Sequence, residues 1–567
     1  MKKYFGLFIL FFSLAATGQN SYYTAPVKIP LTLSASFAEL RSNHFHSGID
    51  IKTQGVTGLP VFAVADGFVS RISVSPSGYG NALYIDHYNG TTSVYGHLQE
   101  FREDIQKYVK KMQYLKKSFA VNIQVSPELF LVEKGEMVAK SGNSGSSGGP
   151  HLHFEIRDTQ SEEAMNPLNF GFDVTDKTAP KITSLQISSL ADDAHVNYQQ
   201  GKKTYPVTFY NGKYHIQNNP VIPLYGEIGF SIEANDYFDF SANRCGINTM
   251  ILKVDGNIHF EIDLNRLSFD QTRYINSFTD YQEWTENRRW YQKTWIDPGN
   301  LLKNYIFNVN NGIININDGN THQIEIEIKD TYENTSVLTF SVKGDFRKIN
   351  STQKTINQWF DWNKENSFET EDFKIEIQEG TLYQNLGFVY SVRPGVKGYF
   401  SEIHSVDYNT VPLHKNASIS IKSDLIPERL QEKALLVAID SKTGKYWSAG
   451  GKYENGWVNG NIRILGDYAV RVDTIAPTIL PLSISGKAKI TETDRLRFII
   501  SDDLSGIKNY TGTIDGNWAL FEYDAKNNLI THYFDSERFE LKKRHEFKLV
   551  VTDNKNNISV YEASFWK

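Results

Sequence analysis

A chain of 567 residues is too long for a single hydrophobic core, so roughly three to five domains are expected. Aromatic residues make up 13% and charged residues 22%, with Asn, Asp and Gly scattered between short apolar runs; this suits turn-rich folded β-domains and excludes a disordered chain. The formal net charge of −6 and the lack of a long basic run argue against nucleic acid as a partner.

The N-terminus, "MKKYFGLFILFFSLAATGQN", carries two lysines and then an apolar run from Tyr4 to Ala16. Small residues at Ala16 and Gly18 fit a cleavage site, so residues 1–18 read as a signal peptide and Gln19 as the first mature residue. An uncleaved anchor is the alternative, although the run is short for a bilayer span. The stretch holds no cysteine for a lipid anchor, and loss of Lys2 and Lys3 takes the net charge to −8. No later stretch is apolar enough to span a membrane, so an exported protein is expected, in the periplasm or at the cell surface. Cys245 is the only cysteine, which excludes an internal disulfide and a cysteine-rich metal site.

From residue 59 to 98 strands alternate with tight turns. "PVFAVADGFVSRISV" and "NALYIDHYNGTTSVYGHL" predict two hairpins, turning at Asp66-Gly67 and at Asn89-Gly90. An insertion at about 99–132 follows, in which Phe101, Ile105, Val109, Met112 and Leu115 stand at helical spacing. The lysines on that amphipathic helix face either solvent or an anionic polymer.

Beyond residue 172 the chain repeats itself. "DKTAP" (176–180) returns as "DTIAP" (473–477), and "GINTMILKVDG" (246–256) as "GIKNYTGTIDG" (506–516). The closing runs "IEIEIKDTYENTSVLTFSV" and "FKLVVTDNKNNISVYEASF" also correspond. Both copies, 173–345 and 471–567, read as antiparallel β-sandwiches that resemble the immunoglobulin-like modules of bacterial surface proteins. The first copy carries an insertion with the aromatic-rich "DYQEWTENRRWYQKTW", a binding surface or a packed lobe. Residues 346–470 read as a further β-sandwich. Asp236, Asp239, Asp330, Asp502, Asp503 and Asp553 are candidates either for calcium at sandwich ends or for turn capping.

The chemistry is concentrated in residues 19–172. "NHFHSGIDI" (43–51) packs His44, His46 and Asp50 together, and "GPHLHFEI" (149–156) adds His151 and His153. A strand period of two puts His151 and His153 on one face and aligns Tyr95 with His97 in "TSVYGHL". Turn-bounded strands then bring His46, Asp50, His97, His151 and His153 towards one cleft. Two neutral imidazoles and one carboxylate make a three-ligand zinc site with the fourth position open to water, whose pKa zinc lowers to roughly 7. Two histidines remain for proton transfer and for stabilising an oxyanion. Strand geometry alone allows either His151 or His153 to reach the metal.

The segments "HFHSGIDI", "LPVFAVADGFVSRI", "GYGNALYIDHYNGTTSVYGHL", "VEKGEMVAKSGNSGSSGGPHLHFEI" and "NPLNF" resemble, in order, the M23 (lysostaphin/LytM-type) zinc metallopeptidases. The resemblance implies one zinc per chain on His46, Asp50 and His153, with His97 and His151 catalytic. His44 is set aside because only His46 stands four residues before Asp50. An antiparallel-sheet peptidase domain followed by about three sandwiches is thus the expected, mostly β, fold. The family implies hydrolysis of peptide cross-links in peptidoglycan, in a groove partly walled by "SGNSGSSGGP", where Gly145, Gly148 and Gly149 let backbone approach substrate. The 99–132 insertion is longer than the family's usual connection and is expected beside the cleft. The alternatives are a non-catalytic protein that binds cell wall or activates an amidase, and an adhesion protein.

Overall fold

The computed structural model describes residues 22–239, 241–349, 355–484, 487–489, 495–535, 538, 540 and 542–567. The expected signal peptide lies outside these residues. Strands dominate throughout, beginning with an N-terminal domain built on one long sheet.

Its main path runs β1 (Leu33–Ala35), β2 (Ile49–Lys52), β7 (His151–Asp158), β5 (Thr91–Leu98), β4 (Asn81–His87), β3 (Gly67–Val74) and β6 (Val121–Gln124). Every neighbouring pair is antiparallel. Alternation along each strand divides the faces. Ile49, Ile51, Leu152, Phe154, Ile156, Leu83 and Ile85 point into a core that also takes Ile105 and Val109 from helix α1 (Glu103–Lys116). The opposite face collects Asp50, His151, His153, Glu155 and Arg157.

Three local expectations change. Asn89-Gly90 does turn a hairpin between β4 and β5, but with only Gly90 at positive φ (82°), closed by its N–H to the His87 carbonyl. Asp66-Gly67 does not, because Pro60–Phe62 pairs with Met137–Lys140 in a separate small sheet while β3 joins the main one. Gly67 is there for space, since a Cβ would lie 2.2 Å from the Asp86 carbonyl oxygen. Helix α1 starts later than its apolar spacing suggests, since Phe101 sits in the preceding strand, and Leu115, within the helix, faces solvent. The insertion's strand β6 completes the sheet edge farthest from β1 and β2, away from the histidines.

The remaining residues form β-rich domains. The one over Lys181–Gly344 shares its core with Phe37, Ala38 and Phe45 of the N-terminal domain. Within its insertion Tyr291 and Trp295 are buried and Trp284 stacks on Trp290 at 3.9 Å, so the aromatics pack the lobe. The next domain packs two five-stranded sheets over one core, and the last packs four strands on five. The repeat persists in detail. Asp255-Gly256 and Asp515-Gly516 both turn at positive φ, and each aspartate accepts a backbone N–H (Gln323, Glu546) and faces a histidine (His322, His545).

The last domain folds back on the first. Lys110 pairs with Asp535 at 2.7 Å, Tyr114 meets Trp518 edge-on at 5.1 Å, and Lys526 donates to the carbonyls of Asn143 and Ser147.

Tyr95 is fully buried, and its hydroxyl accepts the Val64 N–H at 3.0 Å. Tyr95→Phe strands that donor and is expected to cost about 1–3 kcal/mol, read as a lower denaturation midpoint with unchanged slope.

Candidate metal centre and active site

Asp50 and His153 stand opposite each other in the β2–β7 register, with His153 also opposite Gly96 of β5. His46 arrives from the turn before β2. His46 Nε2 lies 3.1 Å from His153 Nδ1 and 3.2 Å from Asp50 Oδ1, and His153 Nδ1 lies 2.9 Å from Asp50 Oδ1. All three residues are buried and could hold a metal ion. His44 is exposed, with its Nδ1 on the Ser42 carbonyl, and takes no part.

The outer nitrogens settle the tautomers, because a carbonyl or carboxylate oxygen only accepts. His46 Nδ1–H donates to the Ser36 carbonyl at 2.7 Å, and His153 Nε2–H donates to Glu155 Oε1 at 2.8 Å. With an ion in place of the proton between them, each imidazole would turn a lone pair towards the same point, the carboxylate–histidine arrangement common at metal sites. Burial works against charge here. Even so, the hydrogen bonds that His153 donates to Asp50 and Glu155 push it up to about 9, while burial is outweighed at Asp50 by His46, His151 and His153, which hold it far below the usual carboxylate range. The pocket calls for a positive charge, and a cation can take the place of the proton. Two neutral imidazoles and one carboxylate fit zinc.

His97 reaches the site by a distortion. Between Asn81 and Leu83 the β4–β5 register slips by one residue, and His97 takes φ 58°, in the left-handed region. The slip separates Tyr95 from His97: Tyr95 faces the core, and His97 turns to the cleft, 4.8 Å from the His151 ring and 5.9 Å from that of His153. The expected Tyr95–His97 alignment is thus overturned by a β-bulge. His97 Nδ1–H donates to the Ser144 carbonyl and His151 Nδ1–H to the Gly149 carbonyl, which leaves Nε2 of each ring unused by these bonds. His151 Nε2 lies 3.4 Å from Asp50 Oδ1. Burial, reinforced by His153 and His151, lowers His97 to about 3, so it is a neutral acceptor at neutral pH.

The glycine-rich loop supports these rings. Gly145 packs on the 78–80 turn, where a Cβ would meet Gly78 O and Gly80 N at 2.4 Å, so its freedom serves loop packing. Gly148 and Gly149 face open space. Lys526 of the last domain holds two carbonyls of this same loop.

Sequence reasoning missed Glu155, although "HLHFEIR" places it two residues after His153 on the same face. Glu155 is fully buried and accepts from Arg157, Tyr79 and Ser47, each at 2.6 Å. Burial raises its pKa, but Arg157 and His153 outweigh it and keep the carboxylate ionised. Also missed was support from the second domain: the Phe45 N–H donates to Thr272 Oγ1, and the Gly246 N–H to Ser36 Oγ, next to the carbonyl that holds His46. Among the described residues two all-aspartate groups also lie close enough for a cation, Asp176/Asp236/Asp330 and Asp473/Asp502/Asp553.

Glu155→Gln removes the ionised acceptor behind His153 and is expected to weaken any metal binding at this site by about 10–100-fold, measured by competition between zinc and a chromophoric chelator.

Residues 44–131 match the sequence profile of peptidase family M23, and residues 357–473 that of a Zu5-like domain. The chain is 33% identical over 123 residues to an uncharacterized metalloprotease of Haemophilus influenzae, covering 22% of this chain and 20% of that one. It is 31% identical over 130 residues to the DD-carboxypeptidase/endopeptidase Mpg of Neisseria meningitidis serogroup B, covering 23% and 24%. It is 29% identical over 116 residues to lipoprotein NlpD of Yersinia enterocolitica, covering 20% and 93%. The chain thus spans about a fifth to a quarter of the first two relatives. No helix among the described residues is long and apolar enough to cross a membrane. The N-terminal domain of this mostly β chain is a peptidase family M23 domain.

Proposed function

We propose that the protein is an exported zinc endopeptidase that hydrolyses peptide cross-links of bacterial peptidoglycan, acting in the periplasm or at the cell surface. The observation that carries this reading is the convergence of three ligand atoms within 3.2 Å of one another, beside two imidazoles held by backbone carbonyls. His46, Asp50 and His153 would hold one zinc ion. Zinc there supplies Lewis-acid activation of water and of the scissile carbonyl. His97, kept neutral by burial, presents Nε2 as a proton acceptor, and His151 presents the second Nε2 to the same cleft. One takes a proton from the nucleophilic water, and the other, in its protonated form, donates to the developing oxyanion. The carbonyls of Ser144 and Gly149 fix both rings, so neither has to reorient during the reaction.

Peptidoglycan as the substrate is supported by the Neisseria relative, named a DD-carboxypeptidase/endopeptidase. The likeness to a protein named only as a lipoprotein favours a second reading, a non-catalytic wall-binding or amidase-activating protein. The two separate in one experiment: mass spectrometry of muropeptides released from sacculi, with and without chelator. Chelator-sensitive cleavage supports the enzyme, and uncut sacculi with a zinc-loaded protein support the second reading.

The metal and proton-transfer roles predict different failures. Asp50→Ala and His153→Ala should lose zinc and turnover together. His97→Ala and His151→Ala should keep about one zinc per chain while the rate falls roughly a hundredfold or more. Metal content and rate measured on the same preparations decide the assignment.

A further inference from the structure

The two aspartate triads stand at the same place in each copy of the repeat, where the preceding domain joins. Asp176 opens the first copy, Asp236 follows a long strand and Asp330 begins the closing turn; Asp473, Asp502 and Asp553 are their counterparts. Within each triad the candidate ligand atoms lie within 4.8 Å of one another. Asp239 and Asp503, candidates from sequence, are outside both groups; Asp239 instead accepts from the Thr178 hydroxyl.

The scaffolding around the triads is duplicated too. Asp330 accepts the N–H groups of Tyr332 and Asn334 and the Asn334 side chain, which also reaches the Asp176 carbonyl. Asp553 accepts the N–H groups of Lys555 and Asn557 and the Asn557 side chain, which also reaches the Asp473 carbonyl. Turn capping therefore accounts for Asp330 and Asp553. It leaves other oxygens unexplained. Asp236 is only 2% exposed and its Oδ1 has no hydrogen-bond partner, and Asp176, 6% exposed, has a second such oxygen in Oδ2. Asp502 Oδ1 is the orphan in the second triad. Burying an ionised oxygen without a partner costs several kcal/mol unless a charge compensates it. The charged groups that act on Asp236 are Asp330 and Asp176, both acidic.

We propose that each triad is a calcium site that locks the joint at the start of its repeat. All-oxygen donors on turns, with no imidazole or thiolate, suit a hard cation, and loops of this kind suit the flexible coordination of calcium better than the strict octahedron of magnesium. At the first joint the segment after Asp236 carries Phe238 and Cys245 into the N-terminal core, and the Ser241 hydroxyl donates to the Leu33 carbonyl. A cation on Asp176, Asp236 and Asp330 thus fastens the second domain against the strands beneath the metal centre. One difference between the sites bears on affinity. Tyr332 in the first, its hydroxyl without a hydrogen-bond partner, corresponds to Lys555 in the second, whose ammonium bonds the Gly451 carbonyl and lies close enough to Asp473 and Asp553 to interact with both charges. That ammonium already supplies positive charge, so the first site is the tighter.

The test is calcium titration of the zinc-loaded full-length protein in resin-stripped buffer, by calorimetry and thermal melting. Two calcium ions per chain are expected, the first bound at least tenfold more tightly, with a rise in melting temperature that magnesium reproduces only weakly. Asp236→Asn should lose the tight site and Asp502→Asn the weak one, each keeping about one zinc per chain. Without calcium Asp236→Asn should melt no lower than the parent, because a neutral amide fills the same buried place beside Asp176 and Asp330 without an oxygen that can ionise. Absence of heat and of any melting shift up to about 10 mM calcium, beyond the weakest extracellular calcium modules, overturns the proposal. So does calcium binding that both substitutions leave unchanged.

Discussion

A buried carboxylate ringed by imidazoles is the constraint on which the first domain depends. Asp50 Oδ1 lies 3.2, 2.9 and 3.4 Å from nitrogens of His46, His153 and His151. The cluster demands positive charge, and the protein meets that demand with geometry that leaves the imidazole lone pairs available. Ser36 takes the outer N–H of His46 and Glu155 that of His153, so both rings are fixed by the protein alone. Glu155 in turn is held ionised by Arg157, which places a second buried charge pair directly behind the first. Such pairs contribute little net stability after desolvation. Their value lies in orientation.

That orientation draws on residues far along the chain. Phe45 belongs to the core of the second domain, while its neighbour His46 faces the cleft, so one dipeptide couples the two. The loop that fixes His97 and His151 is likewise held from outside, by Lys526 more than 350 positions downstream. The β-rich domains therefore belong to the architecture of the site: the second backs the ligand strands, and the last grips the loop behind the two remaining imidazoles. A boundary near residue 172 cuts through shared packing, since Phe238 and Cys245 lie in the N-terminal core.

What was legible in the sequence was whatever depends on strand period and on short motifs. Alternation in "HLHFEI" puts His151 and His153 on one face, and the H-x-x-x-D spacing brings His46 beside Asp50. The Asp-Gly turns of the repeat were legible for the same reason: a positive φ narrows the choice of residue. The failures have a common cause, namely three-dimensional closure that local patterns do not encode. The Tyr95–His97 alignment fails because a one-residue bulge reverses the face at Gly96-His97. Asp66-Gly67 looks like a hairpin turn yet joins two different sheets, its glycine required by the Asp86 carbonyl. Asp176 and Asp473 escaped notice as members of the aspartate triads because each lies in a linker, far along the chain from the aspartates it joins.

The geometry points to His46, Asp50 and His153 as the residues that would bind a metal ion, rather than any set containing His97 or His151. Anomalous diffraction at the zinc edge from crystals of the zinc-loaded protein tests it most directly. A single strong peak is expected, bounded by His46 Nε2, Asp50 Oδ1 and His153 Nδ1 at about 2.0–2.2 Å, with His97 and His151 outside bonding distance. A peak ligated by His151 in place of His153, or an empty cleft with zinc bound elsewhere, would contradict it.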